Sequence, residues 1–528
     1  MAFAVIQAGT SLQLLNQNNE LITLTLPTGI TLDSAKQPRF AVFERYVVMV
    51  NSPSRPITID NAGLVRVLCP LNPTSVLVLD DDGGAGALTG AYKAVQTFVL
   101  RDVEGNTIAE SGPGPVMDTA FTAAADTLNA ENLSVSADAI WGSKIYRTTA
   151  GGAVYFAWIE QNGNLGTNTV SDDRTDESLG SFAIASLGAP PNLSHIGEFR
   201  TRLWGVIKAT PDIVAYTEAG TQYAWPVTNR LPVPPAGADL KGVTAIIPRR
   251  DALGLVRLDS FHQVTGTSNT DFRVVKIAGN VGCVSQESVA IYRDVAYWLG
   301  LDGVYQWGAE GIKCISDGAV RSWFTTDTYF ERSRFANSFG FVDPIQNKYV
   351  LFLAQPTSGS EDRWVEFDLS DKTWWGPHLT SAFTPRCAIV LPDSSDRYMP
   401  LIGSTSGFLW KQQATKTDDA AGDAAGISLS VDTKFHDNGT PDIDKYWGRL
   451  AMLGKVQAAG TMTITPKTGY LNASASAAIS YTMTLGRQIL RRLGLGKLMQ
   501  LNFAHSTVAQ DVEIYGYEVD DVHELGRR

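Results

Sequence analysis

Histidines are the first side chains to consider for metal or acid–base chemistry, because imidazole ligates metals and titrates near neutral pH. None of the six histidines has the spacing that zinc proteases use, and no cysteine is near enough in sequence to suggest a local zinc site. They are His195, His262, His378, His436, His505 and His523. The sequence therefore predicts no metal site, no cofactor and no catalytic residue among them.

The best candidate for a cation site is the run Asp80-Asp81-Asp82, which two glycines follow. Adjacent carboxylates repel one another, and a bound Ca²⁺ would relieve that repulsion. Calcium loops of the EF-hand type alternate their ligands and end on a glutamate, whereas this run does neither. We interpret it as a solvated turn.

Two glycine-containing segments imitate catalytic motifs. Gly403-Ser-Thr-Ser-Gly407 has the outline of a nucleophile elbow, but its central residue is Thr405 and its flanks predict a strand–turn–strand unit. Leu493-Gly-Leu-Gly-Lys497 lacks both the spacing and the hydroxyl residue of a phosphate-binding P-loop. Neither segment predicts a catalytic residue.

A third segment carries the alternative function. Asp368-Leu-Ser-Asp-Lys-Thr-Trp374 resembles the turn motif of sialidase propellers. Glycan cleavage needs two carboxyl groups around one sugar, or a tyrosine–glutamate pair with an arginine cluster. The turn itself is structural in such families, so it does not identify those groups. A carbohydrate-binding or glycan-degrading β-propeller tail component therefore stays as the alternative to a non-enzymatic protein.

The dense basic cluster of the chain lies near its C-terminus. It consists of Arg487, Arg491, Arg492 and Lys497. These side chains could contact an acidic neighbouring subunit or DNA phosphates. They would equally suit a solvated strand edge that resists aggregation. We keep these interpretations open, and of the two functional ones we favour the subunit contact.

The length and the net charge of the chain limit the number of domains and the classes of function. The chain has 528 residues and a formal net charge of −11. Single hydrophobic cores stop growing near about 250–300 residues, so we predict two to four domains. The acidic balance excludes a general duplex-DNA-binding role but permits a conduit that DNA passes without adhering.

Cysteine usage and the first residues indicate the compartment. Cys69, Cys283, Cys314 and Cys387 are isolated in sequence, as core thiols of a protein assembled in a reducing cytoplasm would be. The first nine residues lack the basic and apolar regions of a secretory signal. No apolar run is long enough to span a membrane.

Short apolar runs joined by polar turns dominate the middle of the chain, which is typical of antiparallel strands. Hairpins are predicted at residues 40–50, 289–299 and 339–353. A second recurrence, of strand, polar turn and strand, ends at Trp307, Trp374 and Trp410. Irregular repeats of roughly 40–60 residues with an aromatic end favour a β-propeller, for which we predict six to seven blades.

The predicted fold class is all-β: a β-propeller with an inserted fibronectin-type β-sandwich and a C-terminal β-sandwich domain. The predicted segments are an N-terminal segment with the first blade or blades (1–91), the inserted fibronectin III-like sandwich (92–160), the remainder of the propeller (161–414), a linker (415–426) and the C-terminal domain (427–528).

Two local predictions refine these domains. The alanine-rich residues 120–140 predict one short helix within the insertion. In the C-terminal domain, strict alternation of apolar and polar residues predicts one buried core. Its predicted members are Ile479, Tyr481, Met483, Leu485, Leu501 and Phe503.

Three segments give the chain a resemblance to a known family. They are Phe199–Trp204 with its continuation to Trp225, Gly282–Tyr305, and the C-terminal run from Arg491-Arg492 through Lys497 to Gly526-Arg527-Arg528. With these segments the chain resembles the tail nozzle and packaged-DNA stabilisation proteins of short-tailed bacteriophages. Glu110–Pro115 and Ile145-Tyr146-Arg147 are similar to the fibronectin-type insertion of that family.

The resemblance implies a structural virion protein and no enzyme. It implies a homo-hexameric ring in the phage tail, below a portal and its adaptor, which forms the nozzle or tail tube through which DNA is retained and then ejected. The implied partners are further copies of the chain, the portal-adaptor protein, tail fibre or needle and plug proteins, and DNA passing through the lumen without sequence-specific binding. Assembly in the host cytoplasm and location in the virion tail follow from the same resemblance.

Overall fold

The structure is a computed structural model. It describes residues 4–16, 20–69, 71–101, 105, 107–136, 141–161, 169–180, 189–235, 242–318, 320–380, 383–392, 397–411, 417–418, 425–426, 428–469, 474–506 and 512–525. The described part of the chain is nearly all β, with 53% strand and 4% helix. It divides into two compact units, Met1–Lys411 and Gln412–Arg528. No helix in the described part of the chain has the length and hydropathy to cross a membrane.

The N-terminal unit begins with two antiparallel meanders. Sheet 1 contains β1 (Ala4–Ala8), β2 (Ser11–Leu15) and β3 (Leu21–Leu24). Sheet 2 contains β4 (Arg39–Phe43), β5 (Tyr46–Val50), β6 (Ile57–Ile59) and β7 (Val65–Val67). The hairpin predicted at residues 40–50 is confirmed as β4–β5, whose turn residue Glu44 has a φ of 52°.

Two sheets that share one core follow sheet 2. Their strands are β8 (Val78–Tyr92), β9 (Ala94–Arg101), β10 (Thr107–Glu110), β11 (Phe121–Glu131), β12 (Gly142–Thr148), β13 (Tyr155–Gln161) and β14 (Val170–Asp172). The strand orders are β10-β9-β12-β13 and β14-β11-β8. The pair therefore extends beyond the predicted 92–160 at both ends, because β8 and β14 pair with β11.

The short helix predicted within residues 120–140 is wrong, since β11 occupies Phe121–Glu131. Ala123, Leu128 and Ala130 of this strand are buried in the shared core. Pairing with β8 and burial of this face outweigh the intrinsic helix preference of alanine.

Five further meanders complete the N-terminal unit. Sheet 3 contains β15 (Leu193–Phe199), β16 (Arg202–Ile207), β17 (Ile213–Tyr216) and β18 (Arg230–Pro232), and sheet 4 contains β19 (Ala245–Pro248), β20 (Leu253–Val256), β21 (Ser260–Thr265) and β22 (Arg273–Gly279). Sheet 5 contains β23 (Ala290–Tyr292), β24 (Val295–Leu299), β25 (Val304–Gly308) and β26 (Gly311–Cys314), and sheet 6 contains β27 (Phe339–Asp343), β28 (Lys348–Leu353), β29 (Arg363–Asp368) and β30 (Trp374–Leu379). Sheet 7 contains β31 (Pro385–Pro392), β32 (Tyr398–Ser404) and β33 (Leu409–Lys411).

Short helical segments are few among the described residues. They are the helix α1 (Arg321–Thr325) and the 3-10 turns Asp176–Ser178, Gln286–Ser288, Arg332–Asn337 and Met483–Leu485. The predicted hairpins at 289–299 and 339–353 are confirmed as β23–β24 and β27–β28. In the first of these, Arg293 and Asp294 both have positive φ, the type I′ geometry that matches the twist of the flanking strands.

Hydrophobic cores join the numbered sheets in chain order. The pairs are sheets 1 and 2 around Leu12 and Ile57, 2 and 3 around Val48 and Leu203, 3 and 4 around Trp204 and Leu255, 4 and 5 around Phe261 and Trp298, 5 and 6 around Leu299 and Leu351, and 6 and 7 around Phe352 and Ile402. A further core joins Leu401 of sheet 7 to Ala4 and Leu15 of sheet 1. The order of packing therefore returns to the sheet where it began.

The three tryptophans of the predicted repeat do not occupy equivalent strands. Trp307 and Trp410 lie on the third strand of sheets 5 and 7, whereas Trp374 lies on the fourth strand of sheet 6. Every hairpin of a meander repeats the same local pattern of strand, polar turn and strand, so the pattern does not specify which hairpin it marks.

The C-terminal unit contains a small hairpin and two further sheets. Its strands are β34 (Thr417–Asp418), β35 (Ala425–Gly426), β36 (Leu429–Asp432), β37 (Lys445–Gly454), β38 (Thr461–Gly469), β39 (Ser474–Ala475), β40 (Ile479–Thr482), β41 (Arg487–Gly496), β42 (Leu498–His505) and β43 (Ile514–Glu524). One sheet has the order β36-β42-β38-β39 with β40 also on β38, and the other has the order β41-β37-β43. The β34–β35 pair lies within the predicted linker 415–426, whose remaining residues are outside the described part of the chain.

The core predicted for this unit is largely confirmed. Tyr481, Met483, Leu501 and Phe503 are buried in it, and Ile479 packs against it. The prediction that Leu485 is buried is wrong, because 58% of its surface is exposed. The 3-10 turn Met483–Leu485 interrupts the alternation of faces before β41 begins.

Candidate functional site

The predicted basic cluster lies on and just after the edge strand β41. Arg487 and Arg491 are exposed on one face of that strand, while Leu490 between them is buried in the core. Lys497 follows the strand and is partly exposed, and the side chain of Arg492 lies outside the described part of the chain. The structure therefore brings Arg487 and Arg491 together on one surface.

The neighbouring strands add charge to this surface. Arg449 of β37 lies opposite Arg491 on one side and opposite Asp520 of β43 on the other. Arg449 forms a two-pronged ion pair with Asp520, which holds the pKa of that carboxyl below its usual range. Exposed pairs of this kind contribute little to folding stability.

A second candidate site lies in the interior of the N-terminal unit. Arg39, the first residue of β4 in sheet 2, forms an ion pair with Glu287, which lies just before β23 of sheet 5. Sheets 3 and 4 separate these two sheets in the order of packing. The pair therefore joins two sheets that are not neighbours in the order of packing.

The turn that carries Glu287 is held on both sides. The side chain of Gln286 accepts a hydrogen bond from the Ile246 N–H at 2.6 Å and donates one to the Ile246 carbonyl at 3.1 Å. The Tyr349 hydroxyl donates to the Ser288 carbonyl at 2.7 Å. Burial lowers the pKa of Arg39 to about 10, which leaves its guanidinium charged at neutral pH.

His195 of β15 lies beside this ion pair. His195 is partly buried. Burial, and then the charge of Arg39, lower the pKa of His195 to about 3. Its Nδ1 lies 3.0 Å from the Ser194 hydroxyl. The structure therefore places a neutral imidazole beside the ion pair of Arg39 and Glu287.

We expect His195 to make the folded protein sensitive to acid. Its folded pKa is below the ordinary value of about 6.5, so the unfolded chain binds its proton first and stability falls as the pH drops from about 6.5 towards 3. At pH 5 the loss is up to about 2 kcal/mol. His195→Gln is therefore expected to show a smaller fall in Tm between pH 7 and pH 5 than the parent.

The matched control is His523→Gln, because the side chain of His523 is 66% exposed. Carboxylates titrate equally in the parent and in both variants. The difference in the fall of Tm between His195→Gln and His523→Gln therefore reports the contribution of His195. Equal falls in Tm for the parent and His195→Gln, measured by thermal melting, would show that this imidazole is not held neutral by the fold.

Two neighbouring cavities lie between sheet 2 and the inserted pair of sheets. The larger has a volume of about 580 Å³, and both share the walls Arg55, Leu71, Asn72 and Thr74. Neither wall contains a carboxylate or a histidine among the described residues. The cavities therefore lack the acid–base groups that hydrolysis of a glycosidic bond uses.

Two buried glutamates are held by hydrogen bonds within the fold. Glu110 accepts hydrogen bonds from Thr97 and from Tyr146, both at 2.6 Å. Glu361 accepts from Arg334 at 2.7 Å and from Arg386 at 3.2 Å. These partners keep both carboxylates hydrogen-bonded inside the protein.

The acidic run Asp80–Asp82 is not the predicted turn. Asp80 and Asp81 lie within β8, where they pair with Asn129 and Leu128 of β11. In the described residues, no group of three or more histidine, cysteine, aspartate or glutamate side chains is placed to hold a metal ion. Cys69 and Cys283 are buried as predicted, whereas Cys387 is exposed.

Sequence reasoning missed the Arg39–Glu287–His195 group. Arg39 and His195 lie in strands of sheets 2 and 3, and Glu287 lies in the 3-10 turn before sheet 5. Each is an isolated charged or polar residue in an otherwise ordinary strand or turn. The available signal was weak: Arg39 and His195 both lie at or near the start of the first strand of a meander.

No protein-family model matches the chain, and no curated protein matches it. Among solved structures, it is similar to BBS1N in a complex with ARL6DN (10% identity, 64% of this chain and 96% of that chain, TM-score 0.27). It is also similar to PorZ, a surface component of the type-IX secretion system of Porphyromonas gingivalis (9% identity, 98% and 75%, TM-score 0.26). A third is an exo-β-1,3-galactanase of Phanerochaete chrysosporium (10% identity, 81% and 99%, TM-score 0.16). At these TM-scores the similarities carry no argument about this chain.

Proposed function

We propose that the chain is a structural virion protein that forms the nozzle or tail-tube ring of a short-tailed bacteriophage and is not an enzyme. In this proposal Met1–Lys411 is a seven-bladed β-propeller with an inserted fibronectin-type β-sandwich, and the C-terminal unit is a β-sandwich. DNA is retained behind the ring and then ejected through it.

One observation carries the proposal beyond the sequence resemblance. The cores of sheets 1 to 7 follow the chain and return to sheet 1, a two-sheet insertion interrupts them after sheet 2, and a separate β unit follows sheet 7. This order of parts agrees with the organisation that the resemblance implies.

The interior ion pair supports a conduit made between copies. Arg39 and Glu287 join sheets 2 and 5, so in this proposal the interior of the propeller does not serve as a passage for a DNA duplex. A channel for DNA would have to lie among several copies of the chain. At a net charge of −11 per copy, such a wall offers DNA phosphates no deep binding minimum.

The proposed partners follow from the position of such a ring. They are further copies in a hexamer, a portal-adaptor protein above, and tail fibre or needle and plug proteins below. DNA passes without sequence-specific contacts, and the protein assembles in the host cytoplasm before it resides in the virion tail.

A carbohydrate-binding or glycan-degrading tail propeller is the second candidate. The observation that favours it is the exposed tryptophan Trp375 on β30, with 55% of its surface accessible, since exposed aromatic rings stack on sugars. Against it, the described cavities contain no pair of carboxylates.

We expect phage particles that lack this protein to package DNA but to leak it or to fail to deliver it. The measurements are nuclease-accessible DNA per particle and DNA delivery to host cells, with plasmid-supplied protein as the control for complementation. Images of the purified protein should show a ring with a central hole.

The purified protein is expected to hydrolyse no host-surface glycan. Glycan cleavage that disappears with one aspartate or glutamate substitution would overturn the conduit in favour of the enzyme. Particles that retain and deliver DNA normally without the protein would also contradict the proposal.

A further inference from the structure

We infer that the sheet β41-β37-β43 binds a second copy of this chain head to tail, with the basic edge strand β41 of one copy against the acidic edge strand β43 of the next. This inference rests on the proposed ring and names the surfaces that would join its subunits.

Both outer strands of this sheet are unpaired on one side. The order is β41-β37-β43, and no strand of the described residues pairs with the outer edge of β41 or of β43. The two edges are long, with 10 and 11 residues. Long open edges present rows of backbone donors and acceptors that another strand can satisfy.

Charge changes sign from one edge of the sheet to the other. One row across the exposed face reads Arg491, Arg449, Asp520. The next row reads Ile489, Ala451, Glu518. When the β43 edge of one copy meets the β41 edge of another, the carboxylates of the first therefore lie beside the guanidinium groups of the second.

The positive charges of Arg487 and Arg491 are also not neutralised by ion pairs within the described part of the chain. In the described residues, neither Arg487 nor Arg491 has an ion-pair partner, although both are exposed. Exposed apolar side chains flank them on the same strand, namely Ile489 at 47% and Leu495 at 59%. Such a mixture of unpaired charge and apolar surface is typical of an interface and less so of a solvated edge.

A DNA contact fits this surface less well. Glu518 and Asp520 lie on the same exposed face, two strands from the arginines, and would repel phosphates. A second copy of the chain satisfies both signs at once. Because the two edges differ, the contact is heterologous, and repetition of it closes into a ring or continues as a filament.

The test uses the full-length protein in sedimentation velocity at several concentrations. Arg491→Glu reverses the basic edge and Glu518→Arg reverses the acidic edge. Lys208→Glu is the control, because Lys208 is exposed and belongs to the N-terminal unit, outside this sheet. Each edge variant is expected to weaken self-association about tenfold or more, and the control is expected to leave it unchanged.

Restoration separates charge pairing from damage to the fold. A chain that carries both Arg491→Glu and Glu518→Arg, or an equal mixture of the two single variants, should associate more strongly than either single variant. Thermal melting of each variant checks that the C-terminal unit is folded. Added salt should weaken association of the parent.

The outcomes for the edges and for the nozzle are distinct. A parent protein that stays monomeric, or that associates equally with and without Arg491→Glu, overturns the edge inference. Association through these edges into open filaments, with no ring, supports the edge inference and counts against the proposed nozzle. Failure of restoration in the doubly reversed chain also overturns the inference.

Discussion

Replacing Leu501 with aspartate is expected to unfold the C-terminal unit and to leave the N-terminal unit folded. Leu501 lies on β42, has no exposed surface and packs within the single core of that unit. An unpaired charge at such a site costs several kcal/mol, about the whole stability of a small domain. Thermal melting of the variant should then show only the transition of the N-terminal unit, whereas the parent melts with both units folded.

Leu485→Asp is the matched control, because it makes the same chemical change in the same unit at a side chain that is 58% exposed. Circular dichroism and scanning calorimetry measure the loss of one transition. If Leu501→Asp keeps the melting profile and self-association of the parent, this residue is not part of the core.

Local signals explain what the sequence could predict. The hairpins at 40–50, 289–299 and 339–353 depend on apolar alternation and on turn residues within a dozen positions, so sequence pattern alone located them. The alternation around Leu501 and Phe503 likewise predicted which face is buried, because the strand runs without interruption.

Non-local pairing explains what the sequence could not predict. The strand Phe121–Glu131 looked helical because alanine favours helices, and only its pairing with Val78–Tyr92 settles the question. Leu485 continued an apolar alternation that a 3-10 turn ends. In each case a tertiary or turn constraint outweighed a local preference.

The candidate sites divide in the same way. A run of arginines is visible in the sequence, so the sequence alone predicts the cluster that contains Arg487 and Arg491. Their acidic counterparts Glu518 and Asp520 were not, because only the strand order β41-β37-β43 places them on the same face. The ion pair of Arg39 with Glu287 joins residues from distant parts of the chain and leaves no local pattern.

Replacing Leu15 with aspartate is expected to open the N-terminal unit between its first and last sheets. Leu15 is 4% exposed and packs with Leu401 of β32 in the core that joins sheet 7 to sheet 1. A buried carboxylate there costs several kcal/mol. The loss of stability should appear in the first and the last sheet of the unit, although these segments are far apart in sequence.

Hydrogen exchange measures this coupling directly. Leu15→Asp is expected to raise amide exchange in residues 4–24 and in residues 385–411, while sheet 4, which lies farthest from the closing contact in packing order, changes least. Leu64→Asp is the control, since Leu64 is 49% exposed in the turn before β7. Increased exchange confined to residues 4–24 would mean that sheet 1 does not hold sheet 7. The order of packing would then be an open series of sheets, and the propeller of the proposed nozzle would lose its closing contact.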